Sequence, residues 1–409
     1  MKMVRRLALL ALTCTSFVTL AVTSAVAEIA ISANDGKVRL NDGTVEVVKD
    51  GKDTVSFIDL GASPPVVLAT IEAPTSVVGP PTSVAVSPKE DIALVTGAMK
   101  VDPADPTKTV PDDKVTVFDL TPLRQSLTDR VRRIVRGANT AKTPPKILAT
   151  LTAGKGAAGV SFNKAGTLAL VANRAEGTVS VFTVAGSTVT AAGKVDLGNP
   201  AAGPSGVVFT PDGKTALVSL DGESANKIAV LAVEGTTVTY TKRDMNAGIH
   251  PYGLDIAKTG DVAVVANIGR GQGDADTISV IDLKATPPRV VNTVSVGQTP
   301  EGLKLSPDGK YVAVTVMNGS NKPKASPFYR EQGLLQVWTR TGTTLTKTAE
   351  LAIGKWCQGI AWNARGTVLL VQCMVEEEIQ VVRFSARTLQ KIGSLKMTGG
   401  PAGIRTSEP

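Results

Sequence analysis

Histidine is nearly missing from this chain: one residue, His250, among 409. Cysteine and tryptophan occur three times each, and aromatics make up 4% of the chain. So few imidazoles and thiols cannot assemble the nitrogen and sulfur ligand sets of zinc or copper centres. The absence of Cys-x-x-Cys-His excludes covalent haem, and the absence of Gly-x-Ser-x-Gly excludes the nucleophile elbow of the α/β-hydrolases. The sequence therefore predicts no metal and no cofactor. Amphipathic helical runs are almost absent, which excludes a bundle or a doubly wound fold. A net charge of +8 with one visible basic cluster does not make a nucleic-acid binder.

Residues 1–27 read as an export signal. Lys2, Arg5 and Arg6 precede an apolar run from Leu7 to Val22, and Ala25-Val26-Ala27 supplies a small-residue exit. Cleavage before Glu28 leaves one domain, residues 28–409, with no transmembrane segment, in the periplasm or outside the cell. Only Cys357 and Cys373 then remain, in an oxidising compartment.

What is abundant is repetition. Ser83, Gly159, Gly206, Gly253, Gly302 and Gly359 each open an alternating apolar strand, followed by a turn such as Ser306-Pro307-Asp308-Gly309-Lys310 and a second alternating strand, and Gly403 marks the first half of a seventh copy. The period is close to 47 residues, the length of a four-stranded propeller blade. An insertion at residues 98–145 accounts for the long first interval. It comprises a Pro/Asp/Lys-rich loop at 100–113 and a helix opened by Thr121-Pro122, with Leu123, Leu127, Val131 and Ile134 on one stripe. The last unit carries only a first strand at 401–406. The N-terminus offers Val45 to Val48, Thr54 to Leu60 and Val66 to Ile71 to complete it, so the two ends are expected to close the circle in one sheet. The fold class is all-β: a seven-bladed β-propeller of four-stranded antiparallel blades.

Leu170-Val171-Ala172-Asn173 and Val264-Val265-Ala266-Asn267, with the Ser-Pro-Asp-Gly-Lys turn, resemble the YVTN-type β-propeller repeat. Gly97, Leu220, Val316 and Cys373 replace the Asn in other blades. The resemblance implies a seven-bladed ring of the kind found in lactonases, in subunits of periplasmic redox enzymes and in binding platforms.

In such a ring, the loops entering first strands and leaving second strands open on one face, around the central channel. This selects Lys155, Ser205, His250, Tyr252, Gln298, Glu301, Trp356 and Gln358 from the entering loops. The departing loops contribute Asn173, Arg174, Asp221, Asn267, Arg270 and Asn318. Polar, cationic and aromatic side chains in one mouth suit a small molecule or a protein partner. The candidates for proton transfer are His250, Glu301 and Arg270, although a lone histidine serves structure as readily as chemistry. Gly269-Arg270-Gly271-Gln272-Gly273 is followed by a strand where a nucleotide loop needs a helix, and Asp274 with Asp276 falls short of a calcium ligand set. The leading reading is a binding module acting through the mouth. The alternatives are a lactonase-like hydrolase and an accessory subunit of a periplasmic oxidoreductase.

The cysteines yield a structural expectation. Counting outward from Asn363 opposite Thr367 brings Cys357 opposite Cys373 on adjacent strands, within reach of a disulfide.

Overall fold

A computed structural model describes residues 28–124 and 143–407, and seven antiparallel blades account for nearly all of it, six of them four-stranded and one with its outer edge split into two short strands, Thr237–Tyr240 and Met245–Asn246, both paired with Lys227–Glu234. The signal-like segment and most of the expected helix lie outside the described residues; helical backbone begins at residues 121–124. Blade 1 is the closing blade. Its innermost strand is the C-terminal Gly400–Thr406, paired with Ile29–Asp35, then Thr54–Asp59 and Val66–Glu72. Blades 2 to 7 follow in chain order, with innermost strands Val84–Val86, Ala157–Phe162, Pro204–Phe209, Pro251–Ile256, Pro300–Leu305 and Cys357–Trp362.

Two sequence expectations change in detail. The second strand of blade 1 is Ile29–Asp35, in which every residue is buried, and not Val45 to Val48. Val45 is 51% exposed and belongs to a separate hairpin, Val38–Asn41 with Thr44–Val47. The anticipated loop at 100–113 is mostly ladder: strands Ile92–Val101 and Thr109–Asp119 stay paired out to Val101 and Thr109, leaving a short tip.

The repeat anchors are small because neighbouring inner strands touch there. A Cβ on Gly302 would stand 2.0 Å from the carbonyl oxygen of Gln358 in the next blade, and one on Gly253 would stand 2.4 Å from that of Glu301. Hydroxyls on the second strands bolt the same contacts. Thr315 Oγ1 accepts from Gly302 N at 3.1 Å and donates to Gln358 O at 2.6 Å; Ser219 Oγ does the same between Gly206 N and Tyr252 O, at 2.8 and 2.6 Å. One side chain thus satisfies groups of two blades in a dry interior, where an unpaired amide or carbonyl costs roughly 1–3 kcal/mol.

The repeat Asn clips its own blade instead. Asn267 Oδ1 accepts from Gly248 N at 3.0 Å, while Nδ2 donates to Thr277 Oγ1 and Ser279 Oγ at 3.0 and 2.9 Å. Asn173 repeats this with Gly154, Thr178 and Ser180. Asn34 bonds Ser32, Thr54 and Ser56 in blade 1.

In blade 7 a covalent clip takes that place. Cys357 and Cys373 form the expected disulfide, with Cα atoms 3.9 Å apart. The hairpin register is offset by one residue near its turn, with Trp362 opposite Leu369. A bulge between Cys357 and Ile360 restores the alignment at the cysteines. For a sequence separation of 16, loop entropy predicts that replacing both cysteines by serine lowers unfolding free energy by about 3 kcal/mol. Chemical denaturation checks this, alongside thiol titration of denatured, unreduced protein, which should find no free sulfhydryl from this pair.

Candidate functional site

The residue before each anchor forms an inner circle at the upper end of the channel: Thr82, Ala158, Ser205, Tyr252, Glu301, Gln358 and Ala402. All are buried. The carbonyls of Tyr252, Glu301 and Gln358 make the interblade contacts just described, so backbone packing fixes the positions of these residues. Arg174 and Asp221, each just beyond the end of a second strand, reach in from above.

Arg174 organises the circle. Its Nη1 lies 2.5 Å from Asp221 Oδ2 and also bonds the Ser205 hydroxyl, and its guanidinium sits 5.6 Å from the centre of the Tyr252 ring. Asp221 Oδ1, Glu301 Oε2, Gln358 Oε1 and Thr82 Oγ1 are buried with no hydrogen-bond partner among the described residues. Each stands on a different blade of the ring, and each is an exception to the rule that buried polar groups find partners. Burial pushes the Glu301 carboxyl up to about 8, against the pull of Arg174. Burial also raises Asp221 above the usual carboxylate range, with Arg174 opposing. Tyr252 is raised by burial as well, which keeps its phenol protonated.

The rim is a second cluster. His250 Nδ1 lies 2.6 Å from the Asp221 carbonyl oxygen, which can only accept, so Nδ1 carries a proton. His250 Nε2 stands 3.3 Å from Glu223 Oε1, and Arg270 Nη2 stands 3.3 Å from Glu223 Oε2. Glu223, which the sequence reading did not single out, therefore joins His250 to Arg270, while Glu301 lies deeper with Arg174. The backbone of His250 is left-handed, with φ of 52°. The equivalent position carries Gly156 and Gly203 in blades 3 and 4, and Thr299 and Trp356 in blades 6 and 7, all with positive φ. Holding a non-glycine residue there costs of order 1 kcal/mol.

The other candidates are distributed unevenly. Asn173 and Asn267 direct their amide groups into their own blades, as described. Lys155 is exposed, and its backbone N–H donates to Glu176. Asn318 Nδ2 donates to the Gln332 carbonyl. Trp356 packs with Val38, Val77, Met317, Met374 and Ala402 beneath the N-terminal hairpin, whose tip accepts Lys324 N on Asp42. Gln298 contributes its carbonyl to Asn318 N. In the glycine-rich loop, Asp276 accepts Thr299 N at 2.8 Å and is pushed up to about 6 by burial. Thr82 was missed, though its place before Ser83 marks it as a member of the circle.

The segment 77–79 reaches the circle as a strap. The backbone of Gly79 hydrogen-bonds the Tyr252 hydroxyl, and a Cβ on Gly79 would come within 2.9 Å of Ala158. The strap is held at its start by Asp35, which accepts Val77 N at 2.8 Å, and by Lys37 Nζ, 2.9 Å from Asp53 and 3.1 Å from Asp35.

Residues 111–272 match the family described as Lactonase, 7-bladed beta-propeller. No curated protein sequence matches the chain. Among solved structures, a putative 6-phosphogluconolactonase from Bacteroides fragilis is 16% identical, with 94% of this chain and 99% of that one covered at a TM-score of 0.66. The periplasmic gluconolactonase of Pseudomonas aeruginosa is 14% identical, with coverage of 93% and 98% and a TM-score of 0.63. Hydrazine synthase of Kuenenia stuttgartiensis is 17% identical, with coverage of 81% and 90% and a TM-score of 0.60. At these identities the likeness is one of fold.

Proposed function

We propose that this lactonase-like seven-bladed propeller hydrolyses a neutral sugar lactone at the inner circle, in the periplasm or outside the cell. The observation that carries the reading is Glu301: a carboxyl held protonated by burial, with an unpartnered oxygen, beside the Arg174–Asp221 pair. Two carboxyl groups in one site with different environments divide naturally into an acid and a base.

In this mechanism a water molecule on Asp221 Oδ1 attacks the lactone carbonyl carbon, and Asp221 takes its proton. Arg174 faces the carbonyl oxygen as negative charge builds on it. The ring C–O bond then breaks, and Glu301 gives its proton to the departing oxygen. The product is a hydroxy acid, and solvent returns the proton from Asp221 to Glu301. His250 is a positioning residue, holding the Asp221 backbone through Nδ1. Substrate enters by displacing Gly79 from Tyr252. Arg174 is already compensated by Asp221, and no other cationic side chain belongs to the inner circle among the described residues, so a phosphate seated there would meet no uncompensated cation. An unphosphorylated aldonolactone is therefore expected to react at least tenfold faster, by kcat/KM, than its 6-phospho form.

The family match over 111–272 supports hydrolysis above the binding-module and accessory-subunit readings. Substitution separates them. Arg174→Met should lower kcat for glucono-δ-lactone by about 10²–10³-fold, the usual loss for an oxyanion donor. His250→Ala should cost about tenfold through Asp221 alignment. Equal rates in wild type and Arg174→Met would remove the assignment.

A further inference from the structure

The opposite end of the channel holds a second concavity, of about 220 Å³, far from the inner circle along every blade. Its wall repeats the propeller logic three residues beyond the anchors: Phe162, Phe209, Ile256, Leu305 and Trp362 come from five consecutive blades. The wall is rigid. Trp362 Nε1 donates to the Lys304 carbonyl at 3.2 Å, and its indole packs edge-on against Phe384 at 5.7 Å. With its one N–H satisfied by the protein, the indole offers a ligand only apolar surface.

Charge around this opening is arranged by side. Lys164 and Lys258 are exposed on the wall formed by blades 3 and 5, and Lys304 of blade 6 is 2.9 Å from Asp255 Oδ1. Asp255 also accepts Leu305 N at 2.8 Å, so its carboxylate is committed to the protein. The acids on the other side are committed too: Glu28 accepts Ala364 N and Glu90 accepts the Ser407 hydroxyl. An entering molecule meets aromatic and aliphatic surface below, the exposed ammonium groups of Lys164 and Lys258 on one side and the hydrogen-bonded carboxyls of Glu28 and Glu90 on the other.

The geometry points to a binding site at the lower mouth for a small amphipathic carboxylic acid, its apolar body seated on the Phe162–Trp362 wall and its carboxylate facing Lys164 and Lys258. The volume is below the 300–1,000 Å³ of drug-sized pockets, which selects a single aromatic ring or a short alkyl chain. The site is independent of lactone hydrolysis, because none of its side chains belongs to the inner circle.

The probe is 3-phenylpropionate, with 3-phenylpropanamide as its uncharged counterpart, titrated against full-length mature protein by isothermal calorimetry. The acid should bind saturably and at least tenfold more tightly than the amide. Lys164→Gln/Lys258→Gln should weaken the acid at least fivefold and leave the amide unchanged; both lysines are exposed, so the fold tolerates the exchange. Phe162→Ala should weaken acid and amide together. Arg174→Met should bind the acid as wild type does, which keeps this test separate from the hydrolysis reading. Equal affinity for acid and amide, no saturable heat with the acid, or an unchanged constant in the double lysine variant would overturn the proposal.

Discussion

Replacing Glu301 by glutamine is expected to lower kcat for lactone hydrolysis by about 10²–10³-fold, the range for loss of a general acid, and to stabilise the protein above neutral pH. Both effects have one cause. Burial pushes the Glu301 carboxyl up to about 8 from 4.5, so between those values the folded chain holds a proton that the unfolded chain has released. Unfolding free energy must then fall as pH rises through this window, because the native state binds more protons. The upper limit of the loss is roughly 5 kcal/mol, reached above pH 8. Glutamine keeps the shape and stays neutral, so the variant should match wild type near pH 4.5 and exceed it in stability at pH 8 to 9. In wild type, kcat/KM should decline above about pH 8 as the acid loses its proton. Denaturation curves at several pH values and a pH–rate profile read these effects separately. Parallel stability profiles for the two proteins would show that Glu301 is not held neutral.

Gly302→Ala should be among the most damaging single methyl groups that can be added to this chain. The new Cβ would meet Gln358 O at 2.0 Å, its carbonyl carbon at 3.0 Å and Thr315 Oγ1 at 3.1 Å. The clash is with backbone of the next blade, which no rotamer change relieves. Either the inner strands separate and Thr315 loses its bridge, or the ring widens locally. Overpacking of this kind costs about 3 kcal/mol or more. Gly393→Ala is the control: no atom lies within 4 Å of its added Cβ, and its φ is not positive. That variant should stay within about 1 kcal/mol of wild type. A Gly302→Ala protein with an unchanged midpoint in urea would mean that the inner strands do not make the close contact on which the circle depends.

The period and the turn chemistry made the ring legible in sequence, because each hairpin carries its own apolar alternation and each anchor a small residue, glycine in six and Ser83 in the other. Closure was legible too, from an orphan first strand at 401–406. The strand that completes it was not: Ile29–Asp35 sits directly behind the signal-like run, and its apolar residues read as a continuation of that run. Its Ile31-Ser32-Ala33-Asn34 nevertheless has the Asn of the repeat, and Asn34 makes the same kind of clip as Asn173 and Asn267. The candidate site was legible as a face, through Arg174, Asp221, Tyr252, Glu301 and Gln358. Which side chains turn into the channel and which into the blade was not, because that depends on contacts between residues some 20 apart, as between Gly248 and Asn267. Glu223 and the strap over Tyr252 escaped for the same reason. Glu223 does have repeat equivalents, Glu176 and Glu376, but those accept backbone N–H groups of Lys155 and Lys355 in their own blades, so the repeat does not mark its pairing with His250 and Arg270.

The most direct test is the rate of glucono-δ-lactone opening, followed by pH-stat titration over a range of protein and substrate concentrations. Catalysis at the inner circle predicts a rate above the spontaneous one that is proportional to protein and saturates with lactone. A rate equal to the spontaneous one at every protein concentration would contradict it.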